Sequence, residues 1–289
     1  MNLRRSVTAL LVTLTAAVTT GCTADDTPPA APAPAGPRAA ASPDVDSSAR
    51  TAIREILSTP RLADRHDEVT GPYDYTEYRQ LGHDLSGAIT SGSGGPEVTA
   101  IRYQQWRTHA GTGRVVDWDE TRGCTTWTSD TRSNRDLNAT LPHGQQPATD
   151  RSTLLDQLAS IDPAIRTDPA ALLSMISDLY RTTYIAPSVR TALIEILADT
   201  PHLTAQRGAA DRTGRPALAV TARTTRAETG YRITIYLDPA TGRALATEQT
   251  PLAPLTTSDT MAAAAIDGYV LYLANTRTPT TTTPTAACR

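Results

Sequence analysis

The stretch YRITIYLDPATGRALATEQ, residues 231–249, carries the plainest signal of the fold. From Tyr231 to Leu237 apolar and polar side chains alternate, which is the period expected of a strand with one buried face. Pro239 then presets φ for a turn, and Gly242 supplies a position suited to positive φ. The residues Arg243–Gln249 are therefore predicted to return antiparallel to the first strand.

Further strands are predicted in two groups, on either side of a helical region. The first group lies at residues 73–80, 98–109 and 114–122, and the second at residues 204–207, 217–223 and 266–275. The segment 125–150 is polar and weakly periodic, and we expect an extended strand followed by a loop there.

The helical region lies between the two groups of strands. Asp168 is suited to cap a helix that has Pro169 at its first position, and a second helix is predicted from Pro187 until Pro201 ends it. Each has a single apolar stripe, which needs a surface to cover. Shorter helices are predicted near residues 48–59 and 152–161. The order strands, helices, strands predicts an α+β fold with an antiparallel sheet.

Composition limits both the domain count and the partners. A chain of 289 residues with little predicted structure at either end fits one domain, which we place at residues 48–275. There is no Phe, so the core must be built mainly from aliphatic side chains. The formal net charge is only −3, which gives no electrostatic footprint for nucleic acid or for an anionic membrane surface.

The N-terminus has the parts of a secretory signal. Arg4 and Arg5 precede an apolar run from Val7 to Val18, which is short for a membrane span. The Gly21-Cys22 pair resembles the cleavage site of bacterial lipoproteins. Residues 1–21 are therefore predicted to be a lipoprotein signal peptide, with Cys22 lipidated and the protein anchored to the outer face of the cell membrane. The alternative is an ordinary signal peptide with a cysteine near its end.

Segments at both ends of the chain are predicted to lie outside the domain. Residues 22–47 are rich in Pro and Ala and poor in large apolar side chains, which is typical of a disordered tether. Residues 276–289 form a tail rich in Thr and Pro. If Cys22 carries lipid, Cys124 and Cys288 are left as a pair that an oxidising compartment would join in a disulfide. The alternative is two free thiols.

Several short motifs resemble those of an uncharacterised actinobacterial family of membrane-tethered extracytoplasmic proteins. They are Thr167–Leu173, Arg190–Pro201, Asp211–Pro216, Leu237–Gly242 and the segment Trp106–Trp118. In architecture this family is similar to the lipoprotein-carrier and sigma-regulator sensor group. The resemblance implies a curved antiparallel β-sheet, or half-barrel, with helices packed on its concave face. It also implies a binding or sensing role, because the carriers hold acyl chains between sheet and helices.

Three functions follow, in order of preference. The first is a lipid-anchored extracytoplasmic binding or sensing domain; if it has a ligand, that ligand should be apolar and lie between the helices and the sheet, near Leu172, Ile176, Leu193 and Leu197. The second is an envelope adaptor that contacts a protein partner and has no small ligand. The third is a hydrolase without a recognisable motif.

No motif predicts a catalytic residue, a cofactor or a metal site. The sequence has no Gly-x-Ser-x-Gly elbow and no His-Glu-x-x-His pair. Asp117, Asp119 and Glu120 form the densest acidic group, for which a solvated strand is preferred to a cation site.

Overall fold

A computed structural model describes residues 43–59, 70–84, 97–110, 112–120, 125–131, 141, 145–224, 230–252 and 268–281. Within these ranges nine strands form one antiparallel sheet, in the order β4-β3-β2-β1-β9-β8-β7-β6-β5. The strands are β1 Tyr73–Asp84, β2 Glu97–Thr108, β3 Gly113–Asp119, β4 Thr125–Thr131, β5 Thr204–Ala210, β6 Pro216–Thr224, β7 Tyr231–Leu237, β8 Ala244–Pro251 and β9 Gly268–Thr278. The sheet is curved and does not close.

The helices in the described ranges come mostly between β4 and β5. They are α1 Pro43–Leu57, α2 Arg151–Ile161, α3 Pro169–Thr182 and α4 Pro187–Asp199, with a short 3-10 helix at Pro163–Arg166. Asp168 caps α3 as predicted, since its Oδ1 accepts a hydrogen bond of 2.9 Å from the Ala170 amide. The predicted fold class is thus confirmed as an α+β half-barrel with helices on the concave face.

The helices contact both the sheet and one another. Helix α3 lies across β6, β7, β1 and β9, whereas α1 packs against α4 and against the edge strand β5. Alternate residues of β6 and β7 face the helices. Val220 and Ile235 are completely buried there, which is the alternation that the sequence predicts for β7. One large apolar core therefore fills the space between the two layers.

The folded domain extends beyond both predicted boundaries. Helix α1 begins at Pro43, inside the segment assigned to the tether, and β9 continues to Thr278, inside the segment assigned to the tail. The last residues of β9 pair with the start of β1, where Thr278 lies opposite Tyr73. This pairing satisfies backbone groups that a free tail would expose to water. No helix in the described ranges is long and apolar enough to cross a membrane.

Candidate binding sites

The predicted ligand groove between helices and sheet is filled by the protein's own side chains. Leu172, Ile176, Leu193 and Leu197 are each only 1–2% exposed and belong to the main core. Leu172 also lines a small pocket of about 160 Å³ beside α2 and α4. A ligand among these four residues would have to displace packed side chains, which interiors resist because they are close-packed. Binding at this position stays a prediction.

An open apolar pocket lies instead beside α1. Its volume is about 340 Å³, at the lower end of the range of about 300–1,000 Å³ typical of small-molecule sites. Its walls come from α1, from β5, from the start of β6 and from the turn after β7. The lining residues are Ala52, Glu55, Ile56, Thr59, Arg207, Gly208, Pro216, Ala217, Leu218 and Pro239.

A bulge in β5 shapes one wall of this pocket. The pairing register of β5 with β6 shifts between Gln206 and Ala209, and Gly208 between them has φ 66°. Such a bulge bends its strand and disrupts the local ladder. The sequence predicts a strand that ends at residue 207, whereas β5 continues to Ala210, so neither the bulge nor the pocket was predicted. The signal for the bulge was an isolated glycine within a strand-like segment.

The opposite wall is fixed by the turn between β7 and β8. The Asp238 carboxylate accepts hydrogen bonds from the Ala240 amide at 2.8 Å and from the Thr241 hydroxyl at 2.7 Å. Gly242 adopts φ 65°, as the sequence predicted for this turn. These bonds hold Pro239 at the mouth of the pocket, where its carbonyl accepts a bond of 3.5 Å from Thr59.

One ion pair closes the polar side of the pocket rim. Arg207 donates two hydrogen bonds to the Glu55 carboxylate, at 2.9 and 2.7 Å. These bonds lower the pKa of Glu55 and raise the pKa of Arg207, so both groups stay charged. The pocket therefore combines an apolar interior with a charged edge, an arrangement suited to an amphipathic ligand.

A larger recess of about 890 Å³ lies on the other face of the sheet, over β5–β8. Because Val220 and Ile235 face the helices, the neighbouring Thr221 and Thr234 point away from them, into this recess. The recess wall is mostly polar. At one end Tyr236 donates to Glu248 at 2.9 Å, and burial, followed by this bond, raises the pKa of Tyr236 to about 12.

Among the described residues, the acidic side chains of β3 and the adjacent Glu120 do not gather with other potential metal ligands. Glu120 accepts a hydrogen bond of 2.5 Å from Arg79, and burial raises the pKa of Asp117. No group of three or more potential metal ligands occurs within the part of the chain that the structure covers. Cys22, Cys124 and Cys288 all lie outside the described residues, so lipidation and the disulfide stay predictions.

Comparisons with known proteins add little. No protein-family model matches the chain, and no curated protein matches it. Among solved structures, it is similar to the crystal structure of a domain from Vibrio parahaemolyticus provisionally described as an outer membrane lipoprotein-sorting protein. The identity is 10%, the match covers 80% of this chain and 91% of that chain, and the TM-score is 0.23. A similarity at this TM-score carries no argument about function. The resemblance to the actinobacterial family stays a prediction.

Proposed function

We propose that this protein is a lipid-anchored extracytoplasmic binding domain that holds an apolar or amphipathic ligand between α1 and the sheet. The observation that carries the proposal is the pocket of about 340 Å³ beside α1, which is open and whose wall is mostly apolar. An apolar group that leaves water for such a site gains roughly 0.8 kcal/mol per buried methylene. The ion pair between Glu55 and Arg207 offers a polar contact at the rim.

The sequence predicts a ligand between α3, α4 and the sheet, whereas the pocket proposed here lies beside α1. The space between α3, α4 and the sheet is already occupied by the core, with Leu172 and Leu197 each 1% exposed. The α1 pocket needs no such displacement. It also lies beside α1, which begins at Pro43, within the last residues of the predicted tether to the membrane.

The pocket can be tested by blocking its mouth. Thr59→Trp places a bulky ring at the rim, and Thr51→Trp makes the same change on an exposed part of α1 that does not line the pocket. We expect full-length protein to bind a fluorescent fatty acid, Thr59→Trp to weaken this binding at least tenfold, and Thr51→Trp to leave it unchanged. Circular dichroism should show that both variants are folded. Equal binding by both variants would rule out this pocket.

Native mass spectrometry of protein extracted from its own membrane provides an independent test. We expect a co-purifying lipid that is lost from Thr59→Trp and kept by Thr51→Trp. Crosslinking in cells separates this function from that of an adaptor, because an adaptor would give protein adducts and no lipid adduct.

The membrane anchor requires a separate experiment. We expect Cys22→Ala to lack the mass of an attached lipid and not to be processed as a lipoprotein. An identical lipid mass on the Cys22→Ala variant would show that another residue is modified.

A further inference from the structure

Two arginines face each other on the floor of the large recess. Arg223 on β6 and Arg232 on β7 are direct partners in the strand register, and both side chains are exposed. Both line the recess over β5–β8. Residues directly opposite in an antiparallel pair have Cβ atoms about 4.5–5.5 Å apart, so like charges at such positions repel each other.

Neither of these two arginines has an acidic partner among the described residues, although most arginines in the same ranges do. At least ten of the described arginines form ion pairs with carboxylates: Arg54 and Arg151 with Asp199, Arg79 with Glu120, Arg102 with Glu77, Arg166 with Asp156, Arg181 with Asp178, Arg207 with Glu55, Arg212 with Glu248, Arg215 with Asp211 and Arg277 with Asp74. The pattern shows that arginines in this fold are generally neutralised. Arg223 and Arg232 are exceptions to this pattern, and their two like charges lie side by side without a carboxylate between them.

The one described carboxylate in the recess wall is already engaged. Glu248 pairs with Arg212 and also accepts a hydrogen bond from Tyr236. It therefore does not compensate Arg223 and Arg232. The formal charge of the lining is positive, with two arginines against one carboxylate whose charge is offset by a third arginine.

Hydrogen-bonding groups surround the arginine pair. Thr221 and Thr234, the next cross-strand pair on the same face, bond to each other through their hydroxyls at 2.9 Å. Thr250 lies opposite Arg232 on β8, and His202 lines the edge of the recess with a φ of 62°.

We propose that this recess binds a phosphate-bearing polar ligand, with Arg223 and Arg232 as the two principal contacts. A planar guanidinium presents several N–H donors and bonds phosphate oxygens in a bidentate manner. Two guanidiniums on directly opposed residues can contact one tetrahedral phosphate from two sides, so that one anion relieves the repulsion between both charges. The threonine hydroxyls and the volume of about 890 Å³ leave room for a hydroxyl-rich group attached to the phosphate.

The contact can be measured with inorganic phosphate as the probe. Full-length protein in phosphatidylcholine vesicles should bind phosphate in isothermal titration calorimetry, and Arg223→Gln with Arg232→Gln should weaken this binding at least tenfold. Arg166→Gln is the matched control, because Arg166 is an exposed arginine paired with Asp156 outside the recess. It should bind as the unmodified protein does. If the double variant binds as tightly as the control, or if the unmodified protein shows no binding that exceeds that of the double variant, the proposal is overturned.

Misfolding does not confound this test. Removing two like charges from opposed positions relieves repulsion, so the melting temperature of the double variant should equal or exceed that of the unmodified protein without phosphate. Phosphate should raise the melting temperature of the unmodified protein and not that of the double variant. A melting temperature that phosphate raises equally in both proteins would place the site elsewhere.

A competition experiment then distinguishes a lipid headgroup from a soluble molecule as the phosphate-bearing ligand. Phosphatidylglycerol added to the vesicles should suppress phosphate binding if the site takes a lipid headgroup. Soluble glycerol 1-phosphate should compete in either case, and competition by glycerol 1-phosphate without suppression by phosphatidylglycerol assigns the site to a soluble ligand.

Discussion

The turn between β5 and β6 is held to the centre of the sheet by a single buried carboxylate, Asp211. Its Oδ1 accepts hydrogen bonds from the Thr213 amide at 2.8 Å, the Thr213 hydroxyl at 2.7 Å and the Arg215 amide at 3.1 Å. Its Oδ2 accepts from Arg215 Nε at 2.7 Å. Arg215 continues the link, because its Nη2 donates to the Leu245 carbonyl on β8 at 2.8 Å. Asp211→Ala should therefore release the turn from β8.

The expected loss of stability depends on how deeply the Asp211 and Arg215 side chains of this ion pair are buried. The Asp211 side chain is fully buried, whereas that of Arg215 is 37% exposed. Breaking a buried ion pair costs about 3–5 kcal/mol, and partial hydration of the remaining arginine places this case at the lower end. We expect the free energy of unfolding to fall by about 3 kcal/mol. For a domain of this size the melting temperature should fall by roughly 6–12 °C.

Urea denaturation followed by circular dichroism measures this loss directly. Asp156→Ala is the matched control, since Asp156 forms an ion pair with Arg166 but its side chain is 71% exposed. Exposed pairs contribute about 0–1 kcal/mol, so the control should be nearly neutral. If Asp211→Ala lies within about 1 kcal/mol of Asp156→Ala, the carboxylate does not hold the turn in the way the hydrogen bonds indicate.

Three further results are expected. Burial raises the pKa of Asp211, but the hydrogen bonds from Thr213 and Arg215 outweigh burial, and the net effect is a lowered pKa. The stabilisation by the Asp211 carboxylate is therefore fully present above the unfolded-state pKa of about 3.9 and is lost as the pH falls below it. In an acid titration, the free energy of unfolding should fall more steeply for the unmodified protein than for Asp211→Asn over this pH range. Asn275→Ala should lower the free energy of unfolding by about 2–4 kcal/mol in urea denaturation, because Asn275 Oδ1 accepts from the buried Ile185 amide at 2.7 Å and its Nδ2 donates to the carbonyls of Tyr180 and Thr183. The Ile235 side chain is 0% exposed and that of Leu273 is 42% exposed. Calorimetry should therefore show that Ile235→Ala lowers the free energy of unfolding by about 2–5 kcal/mol, whereas Leu273→Ala lowers it by under about 1 kcal/mol.

Local signals were sufficient to predict most elements of this fold. The alternation in Tyr231–Leu237 and the turn at Pro239 and Gly242 predict β7, the turn and β8, and the structure contains this hairpin. The cap at Asp168 likewise predicts the start of α3. Each signal acts within a few residues, so it does not depend on the rest of the chain.

Long-range pairing was not available from these signals. Strand β9 lies between β1 and β8, so the last strand joins the two groups of strands at the centre of the sheet. Tyr73 and Thr278 are far apart in sequence, and only the assembled sheet brings them together. The same pairing explains why β9 extends past residue 275, where composition alone indicated a tail.

The binding sites were harder to predict, because an apolar stripe on a helix shows that this face is buried but not whether protein side chains or a ligand cover it. Leu172, Ile176, Leu193 and Leu197 have the pattern of a surface that needs cover. Helix α3, which carries the first two, packs on the sheet, whereas α4, which carries the other two, packs against α1 and α2, and all four residues belong to one core. The α1 pocket arises where the β5 bulge interrupts such close contact.

The arginine pair required a different kind of information. The sequence places Arg232 on the outer face of β7, but its opposition to Arg223 depends on the register of β6 with β7. A register shift of one residue would move Arg223 to the core face, where burial of an unpaired charge is strongly unfavourable. The register that the core selects is therefore also the register that forces the two charges together. Burial of Val220 and Ile235 in the core fixes this register. The free energy of their packing therefore keeps Arg223 and Arg232 opposite each other despite the repulsion between the two charges, and a bound anion would relieve that repulsion.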